Sequence, residues 1–445
     1  MAKGTEVAPT SAGGAPDPES LPGLDVRREG GAFLYLWRHH GYGIEVSQLH
    51  ENSDGLTGEI RVERLQPAGG RPARVFWGKI NLSSSRSREE AQKKIAVRTG
   101  KIGLDWDRVV EYVASATADG WRQGEPFVDL AHIPSRLHVT YLVDRLLPDG
   151  ETVGICADGG SGKGWVAILL AIGVLTGRSL PGGLRVHRSA PVLYLDWEES
   201  ATETRRRLEW LSRGLGIEVP HLHYRRMERP LYEEVGRVQT EIARLGIGLV
   251  IVDSIVPATG GEPKDTLPTK EVMGAIRALA PATRLFLGHI TKAEAAQTNG
   301  RARIYGNVFY GNLARSVWEV RCQPDAGNLR LGFYHNKSNI SMRFPPFGLQ
   351  LLFDDAAAKV EVLSQEVTET PELAKRADTP YLLRQALSRG KRTMEELTKA
   401  VGRSEGTVRA ALKGMSDVSN DEGVGRGNKS YWYLVAQEDM FGNDK

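Results

Sequence analysis

Apolar and polar positions change their spacing three times along this chain. Between residues 32 and 82 they alternate in short runs, YGIEVSQLHE, LTGEIRVERL and ARVFWGKINL, separated by HENSDG and QPAGGRP. Period-two runs bounded by Gly, Pro and Asn clusters predict strands joined by turns. Two helical patterns follow. The first, from Ser85, is mostly polar; the second, from Asp105, carries Trp106, Val109, Val110 and Val113 on one side. Residues 31–125 therefore read as a small α+β module, and residues 1–30, which lack an apolar core, as a disordered tail. Trp37, Tyr42 and Trp77 are expected in the core of this module, base stacking being the other use of such rings.

From about residue 140 apolar strands alternate with helices. The strands are ETVGICA, PVLYLDW, LHYRRM, GLVIVDSI and TRLFLGHI. Apolar strands separated by helices predict a largely parallel sheet covered on both faces. After residue 315 come strand-rich meanders, ARSVWEVRC, NLRLGFYHNKS, FGLQLLFD and KVEVLS, expected to extend that sheet antiparallel at its far edge. This α/β domain spans 140–365. A polar stretch, SQEVTETPELAKRADTP, reads as a linker to a last unit at 378–437.

Composition narrows the class. With 445 residues, 40% hydrophobic and 25% charged, the chain is globular, and its size suits about three domains. The longest apolar run, Trp165 to Leu175, is too short to span a bilayer, so no membrane partner is expected. Two cysteines exclude a disulfide framework or a Cys-rich zinc site, and the lack of a signal peptide points to the cytoplasm. The net charge is only +3, yet residues 380–435 hold 10 Lys and Arg against 6 acids. The positive surplus is concentrated in the last unit.

One Gly-rich turn carries the chemistry. TVGICADGGSGK at 152–163 is a strand, a turn and a Lys that opens a helix. Consecutive backbone N–H groups in such a turn face phosphate oxygens at a helix N-terminus. Asp158, Gly159, Gly160, Ser161, Gly162, Lys163, Gly164 and Trp165 are the expected nucleotide contacts, with Lys163 at the β- and γ-phosphates. The strict pattern is G-x-x-x-x-G-K-[ST]. Here Ala157 replaces the first Gly, and Gly164 stands where a hydroxyl normally meets Mg2+. Adenylate kinases resemble this sequence at that point. Two further strand ends carry acids: LVIVD ends in Asp253, suited to hold Mg2+ through water, and VLYLDWEES places Asp196, Glu198 and Glu199 where ligands of such sheets bind. A carboxylate there polarises the attacking water; the alternative is that Glu198 and Glu199 favour the N-terminus of the next helix.

The order of these segments resembles the RecA-fold hexameric ATPases, in particular RepA-like replicative helicases. The matching stretches are YLVDRLLPDGETVGICADGGSGKGW, VLYLDWEESATETRRRLEWL, LVIVDSIVPATGG, LFLGHITK and GNVFYGNLARSVWEV, over roughly 140–340. The resemblance implies a RecA-like P-loop NTPase core using ATP and Mg2+. Lys163, Glu198 and Asp253 would be its catalytic residues, and His289 and Thr291 its γ-phosphate sensors. It implies self-association into a ring, with Arg315 near the subunit interface and Lys337 as a trans-acting residue. The family often has Arg close after that Lys, whereas Ser338 and Asn339 follow here. It also implies single-stranded DNA in the channel, with Glu262 to Thr269 and Lys292 to Arg303 as mobile loops.

The last unit reads as helix, turn and helix in TMEELTKAVGRSEGTVRAALKGM. Gly402 sits at the turn and Ser404 at the cap of the second helix. A preceding helix and a following Gly-rich hairpin complete a pattern that resembles winged helix-turn-helix domains. Arg403, Arg409 and Lys413, with Arg426 and Lys429 at the wing tip, would meet duplex DNA. The sequence thus leads to a DNA-handling ATPase, a ring-forming helicase or related motor. A nucleotide-switched DNA-binding regulator or initiation factor, and a scaffold with a degenerate ATPase, are the alternatives.

Overall fold

The computed structural model describes residues 23–29, 31–65, 73–99, 104–124, 127–133, 135, 138–291, 302–421 and 430–435. Residues 1–22, most of the 292–303 loop, and Arg426 and Lys429 lie outside them. By backbone contacts the chain divides into two units, the first formed by residues 1–137 with 233–245, the second by 138–232 with 246–445.

The first unit holds an antiparallel meander, β1 (Leu24–Glu29), β2 (Ala32–Trp37), β3 (Tyr42–Asn52), β4 (Gly55–Arg64) and β5 (Ala73–Asn81), in sequence order. Helices α1 (Ser85–Thr99) and α2 (Trp106–Gln123) accompany it. The apolar stripe read from α2 is buried: Trp106, Val109, Val110 and Val113 share a core with Tyr35, Trp37, Ile44 and Ile60. β1 falls inside the segment expected to be a disordered tail. Its Leu24 and Val26 pack on this core, and its full length pairs with β2, which compensates for its four charged positions. Trp37 and Tyr42 are buried as expected, and Tyr42 meets Trp106 edge-on at 5.2 Å. Trp77 is not in the core. It is 52% exposed and donates to Glu59, because Phe76 takes the inward position and the next residue of a strand faces out.

The second unit is built on a sheet whose order among the described residues is β10-β9-β11-β12-β8-β13-β14-β15-β16. Before it, β6 (Tyr141–Val143) and β7 (Leu147–Pro148) form a small ladder. The parallel part comprises β8 (Thr152–Ala157), β9 (Val192–Asp196), β10 (His223–Arg226), β11 (Leu249–Asp253) and β12 (Thr283–His289). Helix α3 (Lys163–Thr176) follows β8, and α4 (Ala201–Gly214) follows β9. In the chain, α5 (Leu231–Leu245), nearly all of which belongs to the first unit, precedes β11, and α6 (Ile255–Thr259) and α7 (Thr266–Ala278) precede β12. α3 is apolar on every side and carries Val166 through Ile172 into the main core with Ile155, Ile251 and Leu285.

The late strands are β13 (Ser316–Asp325), β14 (Asn328–Ser338), β15 (Phe347–Asp354) and β16 (Lys359–Gln365), with α8 (Phe309–Leu313) before them. β13 pairs parallel with β8, and only β14 to β16 run antiparallel. The antiparallel extension therefore starts one strand later than the sequence suggested. Helix α7 likewise begins at Thr266, so half of the loop expected at 262–269 is helical. The other half is tied down by Asn307, which donates to the carbonyls of Pro263 and Lys264, each at 2.8 Å.

The polar stretch after β16 is not a free linker. It contains α9 (Pro371–Ala374), and Val367, Leu373 and Ala377 are buried within it. Arg376 reaches back to the fully buried Glu319 of β13 through two bonds, 2.5 and 3.1 Å, while Asn336 donates to the same carboxylate at 2.7 Å and Arg321 also pairs with it. Burial pushes the Glu319 carboxyl upward. These donors more than offset it and hold the group below the usual carboxylate range. Three helices follow, α10 (Thr379–Leu387), α11 (Met394–Val401) and α12 (Glu405–Lys413), with a sheet of β17 (Arg392–Thr393), β18 (Val418–Asp421) and β19 (Tyr431–Leu434). A Thr393–Glu396 capping box starts α11, left-handed Gly402 ends it, and Ser404 caps α12.

Candidate functional site

Parallel register brings the expected site residues to one end of the sheet. His289 lies opposite Ala157, the last residue of β8, and Asp253 opposite Asp196. Each strand thus ends at the same level, and the residues just beyond share one crevice.

The turn after β8 folds around Asp158. Its side chain accepts from Gly159 N at 2.8 Å, and its carbonyl accepts from the Ser161 hydroxyl at 2.6 Å. Gly160 and Gly162 have φ of 70° and 80°, a left-handed backbone that favours glycine. Lys163 opens α3 and is largely buried. Burial draws its ammonium down from the ordinary lysine range, against the pull of Glu198, Asp253 and Asp158.

A chain of side chains crosses the crevice. Lys163 Nζ donates to His289 Nδ1 at 3.2 Å, which leaves the proton of a neutral imidazole on Nε2. That nitrogen stands 3.4 Å from Glu198 Oε1, which also accepts from the Ser254 hydroxyl. The His289 contact, helped by Ser254 and opposed by burial, holds the Glu198 carboxyl down to about 2. Asp253 has the opposite tendency. Burial, with the charges of Glu198 and Asp196, raises it to about 6, although Tyr194 donates to its Oδ2 at 2.5 Å.

Two further residues hold this geometry. Asp196, expected among the strand-end acids, is fully buried and accepts from the backbone of Glu198 and Glu199 at 2.9 and 2.8 Å, and from Thr204 and Tyr224, each at 3.2 Å. It fixes the turn that presents Glu198. Arg207 was missed. Its Nε donates to Glu203 and its Nη2 to Glu199, each at 2.9 Å. The signal was present as Glu199, Glu203 and Arg207, spaced four apart and so on one side of the chain entering and following α4. Trp165, expected at the nucleotide, is half-buried with Phe353 edge-on at 5.1 Å and the Arg206 and Arg207 guanidiniums over its ring.

The donor set does not fit a Mg2+ held from the turn side. Position 164 has no hydroxyl, and a Cβ built there would lie 2.6 Å from Arg207 Nη1 and 3.9 Å from Asp253 Oδ2. A guanidinium nitrogen thus stands where the hydroxyl arm would reach.

Thr291 lies two residues beyond the end of β12. The other expected residues are placed apart from this chain of contacts. Arg315, half exposed, lies 3.8 Å from Glu151. Lys337 Nζ donates to the carbonyls of Gly311, Asn312 and Ala314 at 2.7–2.8 Å, capping α8. To reach a neighbouring subunit it would have to give up all three. In the last unit Arg403 donates to the Lys375 carbonyl, Arg409 pairs with Glu405, and Lys413 is exposed. Arg384 and Lys391 are held by Asp417 and Asp421, so part of the local surplus is neutralised. No helix among the described residues is long and apolar enough to cross a membrane.

Comparison with known proteins matches the segment that carries the site. An AAA domain family model matches residues 124–295, which contain the turn, Glu198, Asp253 and His289. No curated protein matches the chain. Among solved structures it is similar to a KaiC-like protein from the hyperthermophilic archaeon Pyrococcus horikoshii, at 14% identity and a TM-score of 0.36, covering 51% of this chain and 98% of that one. The segment 124–295 is a P-loop ATPase domain by its match to that family and its turn, strand-end acids and parallel sheet.

Proposed function

We propose that this protein is an ATP-dependent DNA-handling ATPase, a ring-forming helicase or related replication motor similar to the RepA-like helicases. The observation that carries the ATPase reading is the contact chain from Lys163 through His289 to Glu198. It links the phosphate lysine to the carboxylate that would orient water, by way of a strand-end histidine. When a γ-phosphate draws Lys163 away, His289 loses its donor and its hold on Glu198 changes. Glu198 is then released to a water. DNA would be met by α12 and its neighbours, read as a winged helix-turn-helix, through Arg403, Arg409 and Lys413, with Arg426 and Lys429 on the wing. A second site for single-stranded DNA would lie in the channel of the ring, and Arg315 would lie near the subunit boundary.

A second reading has its own support. Glu198 held near 2 is a weak base, and Gly164 removes a hydroxyl from the turn. Both favour a nucleotide-switched DNA-binding regulator with slow or no turnover. ATP hydrolysis measured with and without single-stranded DNA, with Lys163→Ala as the blank, separates the two. Stimulation by DNA that vanishes in the variant supports the motor. Nucleotide binding without stimulated turnover supports the switch.

A further inference from the structure

We propose that Arg207 serves as the cation on the phosphate side of this site, so that nucleotide binding does not depend on a divalent metal. The proposal rests on the nucleotide-binding reading above and goes beyond it in naming how the phosphate charge is met.

Arg207 is positioned by its neighbours rather than by the turn. Glu203 takes its Nε, Glu199 takes its Nη2, and the Trp165 ring lies 5.8 Å from the guanidinium carbon. The side chain is 17% exposed. Two of its three nitrogens are therefore committed, and Nη1 has no hydrogen-bond partner among the described residues. That nitrogen is the one beside Gly164, 2.6 Å from a Cβ position. Real Cβ contacts do not come so close, so a Ser or Thr at 164 would require the guanidinium tip to shift from this position. Gly164 and Arg207 are thus a matched pair: the missing hydroxyl arm makes room for an arginine that remains charged at any working pH.

The chemistry suits phosphate. A guanidinium N–H aimed beside the first turn of a phosphate-binding helix gives a charge-assisted bond to an anionic oxygen. The local charge also permits it. Arg206 and Arg207 are balanced by Glu199 and Glu203, which hold the fork rigid and leave one donor outward. A metal held from the turn side would have to displace that nitrogen, which occupies the place of the hydroxyl arm.

The test is titration of the full chain with a fluorescent ATP analogue, in excess Mg2+ and in EDTA. The expected result is a Kd that differs by less than about threefold between the two buffers. Arg207→Gln should weaken binding in EDTA by roughly 10- to 100-fold, the loss of one charge-assisted bond. Gly164→Ser combined with Arg207→Ala should restore a strong Mg2+ requirement. Wild-type binding that collapses in EDTA overturns the proposal and leaves the ATPase reading intact. Absence of binding in both buffers overturns the nucleotide-binding reading itself and this proposal with it. The wild-type comparison needs no variant to fold, and thermal melting of each variant checks the rest.

Discussion

Lys163, the first residue of α3, and His289, the last of β12, are 126 positions apart in sequence and share a 3.2 Å hydrogen bond. The phosphate lysine is therefore not waiting in solvent; it is parked on an imidazole that also faces Glu198. Nucleotide must compete for it. His289→Ala should leave ATP affinity unchanged or tighter while slowing turnover, whereas Lys163→Ala should weaken affinity by roughly 10- to 100-fold. Equilibrium binding and steady-state hydrolysis on the same preparations separate these effects.

Glu198→Gln keeps the shape of the side chain but removes its basicity. Hydrolysis is expected to fall by about two to four orders of magnitude, the usual range for a general base, with nucleotide affinity nearly unchanged. A single-turnover assay on pre-bound ATP reads the chemical step directly. An unchanged rate would remove Glu198 from the reaction.

Glu319 and Arg376 form an ion pair that is costly to break, because both side chains are buried. Arg376→Met should destabilise the protein by about 3 kcal/mol, somewhat relieved by Arg321, which still pairs with Glu319. The double change Glu319→Gln with Arg376→Met should recover much of the loss. Urea unfolding of the single and double variants measures it.

The contrast between expectation and structure follows a physical rule. Parallel strands, the P-loop and the strand-end acids were legible because each depends on local pattern: apolar runs, a Gly-rich turn, an acid ending a strand. β1 was not, since four of the six residues of its LDVRRE are charged and it is held by pairing with β2. The fixed 366–378 segment was not legible either, because three apolar residues in a polar stretch give no period. They are buried in a cluster with Tyr334, Leu382 and Leu383, residues of other elements. Arg207 was hidden for a related reason. A helix of many Arg and Glu residues looks like a solvated face until its position over Gly164 is known.

His335 gives a pH dependence. It stacks on Trp318 at 4.2 Å, bonds to Ser316 Oγ at 2.9 Å, and burial draws its pKa down to about 4. Between that value and the ordinary 6.5 the unfolded chain binds the extra proton, so stability rises with pH through this window and is lost on acidification. The change is at most about 3 kcal/mol for this group. His335→Gln should be less stable at neutral pH and show a flatter profile from pH 6.5 to 4. Thermal melts across that range decide it.

If the last unit binds duplex DNA, Lys413→Ala should weaken binding to every sequence alike. It should also lower the slope of log affinity against log salt by about one. Fluorescence anisotropy at several salt concentrations reads both quantities. An unchanged slope would place Lys413 off the DNA.

Glu319 lies opposite Cys156 in the β8–β13 ladder, one position before the residue that leads into the phosphate turn. The clasp between Glu319 and Arg376 therefore sits a single strand away from the nucleotide crevice. It ties the segment that leads into the three C-terminal helices to the strand beside the phosphate turn.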